Sequence, residues 1–430
     1  MLEMYEDIMD VAVIGAGLAG LAAGAFAVNK GLSVARLGST GGLAYTTGYL
    51  DMLGIAGHSC EPYLGDPRKS LVGMAKAHTE HPYANISAED VDAAFAEFLD
   101  LLGAAGLPYV ADGSNMLALS PMGTVKSTYA VPATMMPGVT AFKAKTPCLL
   151  VGFTSLKAFS AKGIAATLKD EWPDITPVTV EFPDMQWAGE LYPEAAARSL
   201  EVAANREALA DSIRPHLGAA KCVGFPAILG VNDTATVHTH MQELLGVAVF
   251  EIPTLPPSVC GLRMRESLDD SLRVKGAALF SQRYAFAVRK EGGLFHVDVG
   301  EAVLQVTLRA RSVILATGRF LSGGLVADRA KGVYEPLMGL AVTAPASREE
   351  WHRDDYFDAA GHPVNRAGVR VDAAFRPLAA DGTVVDPDLY VAGAILAGQD
   401  WIREKSGAGI SISSAWKAVN AAMRRIKEGV

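Results

Sequence analysis

The sequence predicts an α/β protein whose nucleotide-binding domain is interrupted by an inserted second domain, and three observations predict it. Near the amino terminus the apolar strand Asp10-Val11-Ala12-Val13-Ile14 runs into Gly15-Ala16-Gly17-Leu18-Ala19-Gly20 and then into a helix-like stretch with Gly24 one turn on. Far along the chain a second buried-looking strand, Ser312 to Leu315, ends in Ala316-Thr317-Gly318. Near the carboxyl terminus the strand Leu389 to Ala392 ends in Gly393-Ala394, and the turn Ser406-Gly407-Ala408-Gly409 opens a last helix from about Ile410 to Lys427. At 430 residues the chain is long for one simple core.

The first element is a βαβ opening: strand 10–14, helix about 17–30, strand 33–37. A glycine turn between strand and helix lets backbone approach a pyrophosphate, which sits at the positive end of the helix. The acid that holds the ribose hydroxyl about 20 residues later is missing, because Asp10 and Asp51 bracket a stretch with no carboxylate. Gly38 stands about where it belongs. Arg36 could face a 2′-phosphate, but it lies within the strand rather than beyond its end. The uncharged run Val11 to Val28 is as long as a membrane span. Its glycine spacing identifies it instead as strand, turn and buried helix, and no other stretch reads as transmembrane.

The loop Ser39-Thr40-Gly41-Gly42-Leu43-Ala44-Tyr45-Thr46-Thr47-Gly48 is small, polar and without period, as a segment wrapping a cofactor would be. Ser87 begins a helix with a capping-box-like spacing to Asp90, and Val91, Phe95, Phe98 and Leu102 mark its apolar face. From about Tyr109 to Leu255 the pattern is irregular and proline-rich, with helical stretches near 154–169, 194–214 and 234–246. This region is the expected insertion. Residues 261–275 look helical, and segments near 277–290, 293–299 and 302–309 alternate like strands.

The net charge of −9, with no basic block, argues against a nucleic-acid partner. Four scattered cysteines, Cys60, Cys148, Cys222 and Cys260, form no Cys-x-x-Cys pair, so no metal or iron–sulfur site is expected. They fit a reducing cytoplasm, and the acidic first ten residues do not read as a signal peptide. His238 and His240 would point to different sides of a helix and make a poor metal pair. His58, His78 and His81 fall in loop-like sequence where they could approach a site.

The three glycine-bearing strand ends together resemble the fumarate reductase and succinate dehydrogenase flavoprotein superfamily. Within it the chain resembles the B-type subunit of anaerobic glycerol-3-phosphate dehydrogenase. The segments that carry this are Gly15 to Gly20, Thr47 to Leu53, Met122 to Lys126, Pro253 to Arg263, Phe320 to Arg329, Glu335 to Leu340 and Leu389 to Asp400. The resemblance implies a Rossmann-like flavin-binding domain, discontinuous over 1–108 and 256–430, with an inserted capping domain at 109–255. It implies one flavin, FAD being favoured over FMN by the pyrophosphate-type turn, although the family is described as binding FMN and also lacks the ribose acid.

The implied cofactor contacts are Gly15, Gly17, Leu18, Ala19, Gly20, Ser39, Thr40, Gly41, Gly42, Thr46, Thr47, Gly48, Ala316, Thr317, Gly318, Gly393 and Ala394. Gly407, Ala408, Gly409 and Ile410 complete the set, at a helix start whose N–H groups would stabilise negative charge at N1 and O2 of the reduced flavin. Ser406 and Ala408 depart from the more glycine-rich pattern of relatives.

The implied activity is oxidation of sn-glycerol 3-phosphate to dihydroxyacetone phosphate with electrons passing towards menaquinone. A dianionic substrate calls for cations. Arg263 and Lys126 are the first candidates, with Arg319 and Arg403 beside similar segments; for each the alternative is a structural cation. The implied partners are an A-type flavoprotein subunit, the likelier site of substrate oxidation, and an iron–sulfur C-type subunit. Membrane contact would come only through them, placing a cytoplasmic chain peripherally on the inner face of the membrane. A small-molecule substrate on this chain remains an option, and so do a self-contained FAD oxidoreductase on another small molecule and a non-catalytic assembly role.

Overall fold

The computed structural model describes residues 3–39, 41–55, 62–183, 185 and 189–429. Thr40, His58 and Cys60, each named above, lie outside the described residues. Two compact units emerge. The first comprises residues 1–42, 51–101 and 268–430; the second comprises 43–50 and 102–267. The sequence pattern alone places the insertion at 109–255.

The first unit is built on a seven-stranded sheet. The strand Glu3–Ile14 lies between Val34–Gly38 and Leu304–Leu315, parallel to both, with Val11 opposite Val34 on one side and Ser312 on the other. Leu389–Val391 adds a further parallel strand along the end of Leu304–Leu315. The antiparallel strands Leu294–Gly300 and Tyr284–Glu291 extend the sheet beyond Leu304–Leu315, and Ala278–Ser281 closes the opposite edge in parallel. The segments read separately near 302–309 and 312–316 are therefore one twelve-residue strand.

Helices cover this sheet. Leu18–Asn29 is buried from Ala19 to Ala27, and its alanines and glycines let it lie close to the long last helix, Gly407–Glu428. Glu97 ties three helices together: it accepts from Lys30 (2.9 Å) and from Trp416 Nε1 (2.8 Å). The helix Ala88–Ala104 starts as its sequence predicts, with Ser87 Oγ accepting from the Asp90 N–H at 3.1 Å.

The second unit contains what the sequence did not reveal. The stretch that reads as irregular holds a parallel four-stranded sheet, ordered Ala248–Ile252, Cys222–Pro226, Cys148–Phe153, Ile175–Val180. Every residue of Cys148–Phe153 and Cys222–Pro226 is buried, so neither strand alternates polar with apolar. The core gathers Leu149, Leu150, Val151, Val223, Phe225 and Phe250, with Trp172 stacked on Phe250. The helical stretch at 194–214 divides into Pro193–Ser199 and Ala203–Ile213, and that at 154–169 contracts to Ala161–Thr167. Thr234–Leu245 and Val259–Val274 match the expected helices.

Among the described residues no helix is long and apolar enough to cross a membrane. The uncharged run Val11 to Val28 is the first strand, its turn and the first helix.

Candidate functional site

Three strand ends of the first unit meet around the glycine turn. The Gly15 N–H donates to Leu37 O (2.8 Å), and the Ala316 N–H donates to Ile14 O (2.8 Å). Gly15 has φ +136°, and a Cβ there would strike the Ala316 backbone, so this position requires glycine. A Cβ on Gly20 would likewise strike the Gly15 carbonyl. Gly393 (φ +82°) abuts Ala19, and its N–H is held by Ser414 Oγ at 2.9 Å. Turn, first helix and terminal strand are thus locked together by the residues that the sequence singled out.

The front of the turn is open. A Cβ on Gly17 or Gly42 would meet no atom within 4 Å. Gly17 caps the first helix with extended backbone and no side-chain hydrogen bond, and the first intrahelical bond runs from the Leu21 N–H to Gly17 O (2.9 Å). The N–H groups of Leu18, Ala19 and Gly20 therefore have no acceptor within the helix. Gly41 sits over Gly17, with its added Cβ 3.1 Å from Gly17 N. Thr317 Oγ1 is buried without a hydrogen-bond partner, beside the Gly318 turn that Ser322 Oγ closes by donating to Thr317 O (2.6 Å). Open backbone, unused helix N–H groups and an orphaned hydroxyl fit a pyrophosphate-bearing cofactor.

The missing acid has a steric cause. A Cβ on Gly38 (φ +144°) would lie 2.7 Å from Ala16 N, because the second strand passes directly over the turn. Arg36 does not offer a 2′-phosphate grip, since its buried guanidinium is ion-paired with Asp269.

The start of the last helix differs from that of the first. The Ile410 N–H closes on Ser406 O (2.9 Å), and the Gly409 N–H is already taken by Asp51 O at 2.7 Å. A Cβ on Gly409 would strike the Tyr83 hydroxyl, which donates to Met52 O (2.6 Å). Ser406 is fully buried and donates to Glu404 Oε2 (2.8 Å). The same oxygen meets His81 Nε2 at 3.2 Å, while Glu404 Oε1 accepts the Asp400 N–H at 2.8 Å.

The His81 Nδ1 accepts from the Tyr83 N–H (3.1 Å), so its ring proton sits on Nε2 and points at Glu404. Burial pushes the Glu404 carboxyl up, but the bonds from His81, Asp400 and Ser406 outweigh it and hold the group below its ordinary range. Burial drives the Tyr83 hydroxyl well above its ordinary value, and the charges of Glu404 and Asp51 add to that.

Sequence reasoning named His81 without a role and passed over Glu404, Asp51 and Tyr83. A carboxylate inside Trp401-Ile402-Arg403-Glu404-Lys405 looks like one of several surface charges until the fold buries it. His81 and His78 also line a cavity of about 350 Å³ in this unit, together with Glu80, Thr343, Arg366 and Gly398.

The other expected cofactor residues are distributed as follows. Ser39 follows the second strand in the first unit. Thr46, Thr47 and Gly48 belong to the second unit, where Thr46 Oγ1 accepts from the Gly48 N–H (3.1 Å) and Gly48 packs on Cys260.

The cations expected to meet substrate are engaged elsewhere. Arg263 is 2 % exposed; it grips both oxygens of Glu251 (2.7 and 2.8 Å) and donates to Gly230 O (2.8 Å). Glu251 also accepts from the Leu229 N–H (2.7 Å) and the Thr134 hydroxyl (2.7 Å). Burial raises the Glu251 carboxyl, but the Arg263 charge more than reverses this and leaves it below its ordinary range. The geometry of Arg263 is that of a buried structural ion pair. Lys126 lies half-buried over the Tyr49 ring, 6.0 Å from its centroid.

Arg319 donates to the carbonyls of Ala394 (2.7 Å), Gln399 (2.8 Å) and Asn365. Burial pulls its pKa down to about 10, partly offset by Asp400 and Glu404. Arg403 donates to Ala359 O (2.9 Å). His238 and His240 go separate ways, to Val249 O and to the Arg206 guanidinium.

Comparison with known proteins adds to this geometry. A family described as "FAD binding domain" matches residues 10–410. The B-type subunit of anaerobic glycerol-3-phosphate dehydrogenase from Aliivibrio fischeri is 29% identical over 445 residues, covering 97% of this chain and 96% of that one. The probable B-type subunit of the same enzyme from Halobacterium salinarum is 32% identical over 437 residues, covering 97% and 99%. Its counterpart from Vibrio vulnificus is 29% identical over 431 residues, covering 96% of each chain.

Proposed function

Because the chain belongs to the FAD binding domain family and to the B-type subunit family of anaerobic glycerol-3-phosphate dehydrogenase, we propose that it is the flavoprotein subunit of such a complex. It takes part in oxidising sn-glycerol 3-phosphate to dihydroxyacetone phosphate and passes electrons towards menaquinone. The chain is a flavin-dependent oxidoreductase and its flavin is FAD, which decides between the two flavins that the sequence left open. Its partners in this reading are an A-type flavoprotein and an iron–sulfur C-type subunit, and any membrane contact on the inner face runs through them.

The observation that carries the reading is the open glycine cradle at Gly17 in a chain aligned along its length with those relatives. The N–H groups of Leu18, Ala19 and Gly20 would hold the pyrophosphate, with Gly15 and Gly38 giving the close backbone approach. Thr317, Gly318, Gly393 and Ala394 would line its path, and Gly407 and Ala408 would face the pyrimidine end of the flavin ring. Ser39, Gly41 and Gly42 would border the adenosine side. The first unit is then the flavin domain and the second the capping domain, to which Thr46, Thr47 and Gly48 belong. When bound, FAD supplies two-electron acceptance at N5 and negative-charge storage at N1 and O2.

Of the two roles left open for this chain, we favour electron relay, because the cations that the sequence singled out are engaged. Recognition of a phosphate dianion needs guanidinium or ammonium groups available to it. Arg263, Arg319 and Arg403 are committed to Glu251 or to backbone carbonyls, and Lys126 lies over Tyr49.

Purified protein, heat-released flavin and chromatography test the first step; FAD at one per chain is expected, and FMN or no flavin overturns the reading. Dye reduction by glycerol 3-phosphate tests the second. Turnover is expected only with the partner proteins present, and turnover by the isolated chain overturns the relay role.

A further inference from the structure

The two helix starts of the first unit carry different electrostatics. At the first, the N–H groups of Leu18, Ala19 and Gly20 have no acceptor within the helix, and a Cβ on Gly17 would meet no atom within 4 Å. At the last, a partly buried carboxylate is already in residence: Glu404 is hydrogen-bonded to the capping residue Ser406 itself, and its side chain is 14% exposed. His81 donates to Glu404 from Nε2, because its Nδ1 accepts the Tyr83 N–H. Asp51 stands on the other side, with its carbonyl on the Gly409 N–H. The Arg319 cation lies near both Asp400 and Glu404.

A helix amino terminus carries about half a positive charge. A full negative charge one turn away outweighs it. We propose that Glu404 sets the redox poise of the bound flavin: it opposes the negative charge that two-electron reduction places at N1 and O2, and so keeps the flavin a ready electron donor. Glu404 acts through the helix terminus rather than by touching substrate. The inference deepens the reading above, because it rests on the pyrimidine end of FAD lying at Gly407 and Ala408. It also gives the departure at Ser406 a purpose, as the hydroxyl that anchors this carboxylate to the helix start.

The test is the FAD midpoint potential in the full-length protein, measured by dye-equilibrated reduction. E404Q keeps an acceptor for His81 and Ser406 but removes the charge. It should move the potential upward, with the reduced-to-oxidised ratio at a fixed poise rising about tenfold for one charge removed at roughly 10 Å and an effective dielectric of about 20. E97Q removes a charge elsewhere in the same unit and should leave the potential where it was. An unchanged potential in E404Q, or an equal shift in E97Q, overturns the proposal.

If E404Q does not fold, E404A, which removes the same charge, carries the test: an upward shift supports the proposal and an unchanged potential overturns it. Wild-type protein that holds no FAD overturns the underlying flavin reading instead, so the two failures are distinguishable.

Discussion

Both units are built around parallel strands, yet they treat the backbone beyond a strand end in opposite ways. In the first unit the turn after Glu3–Ile14 leaves the N–H groups of Leu18, Ala19 and Gly20 open, with glycine wherever a side chain would intrude. In the second unit the chain leaving Cys222–Pro226 turns its Leu229 N–H onto the Glu251 carboxylate, which Arg263 then neutralises. One sheet leaves these donors without an acceptor inside the helix; the other has met the equivalent need with its own glutamate. The difference teaches that a parallel sheet alone says little about ligand binding. What decides is whether the orphan donors beyond a strand are satisfied from within.

The largest effect should come from breaking the internal anion site. R263M leaves Glu251 buried and unpaired, and should cost about 3–5 kcal/mol in urea unfolding. The double variant E251Q/R263M should recover much of that loss. If it does not, Arg263 contributes something beyond neutralising Glu251.

Next comes the reverse experiment, giving the first sheet an anion of its own. G17D places a carboxylate in the cradle at the helix cap. Apo-protein stability should rise by a few tenths of a kcal/mol, because aspartate is a better cap than glycine. FAD affinity should fall at least about a hundredfold, or ~2.7 kcal/mol, when titrated by flavin fluorescence. Parallel losses of stability and affinity would mean that Gly17 is structural and that the contrast between the two sheets is misplaced.

The pH dependence follows from Glu251. Its folded pKa is depressed, so its contribution is complete above the unfolded value of about 4.3 and is lost as the pH falls through the lower folded value. Unfolding free energy should therefore drop below about pH 4.3 at up to ~1.4 kcal/mol per pH unit from this one group. That part of the slope should vanish in E251Q/R263M. A slope identical in both proteins would assign it to other carboxylates.

The smallest effect calibrates the others. Ser87 caps its helix with its own side chain, the ordinary solution that Gly17 forgoes. S87A should cost about 1 kcal/mol and leave FAD binding unchanged.

The first unit was legible because its signals are local. A change from strand to helix period across six residues, with glycines between, forces the turn whatever surrounds it. The contact of Gly393 with Ala19, by contrast, joins residues far apart in the chain and emerges only from the fold. The second sheet was hidden because Cys148–Phe153 and Cys222–Pro226 are buried on both faces and carry no alternation. Short apolar runs of that kind look the same in a helix or a strand.

The fate of the charges was hidden for another reason. Arg263 finds Glu251 twelve residues away, and Glu404 finds His81 across 323 residues. Before the fold is known, an arginine awaiting a phosphate and one neutralising a buried glutamate are the same letter. His81 had the right neighbourhood by sequence, but only the Tyr83 N–H fixes its tautomer.

The tight passage at Gly38 also bears on how this lineage can change. A side chain there would have to displace the Ala16 amide, which helps form the phosphate turn itself. Placing an acid at that position would therefore disturb the glycine turn by the same substitution. An acid for an adenosine ribose would then have to come from the loop beyond this residue.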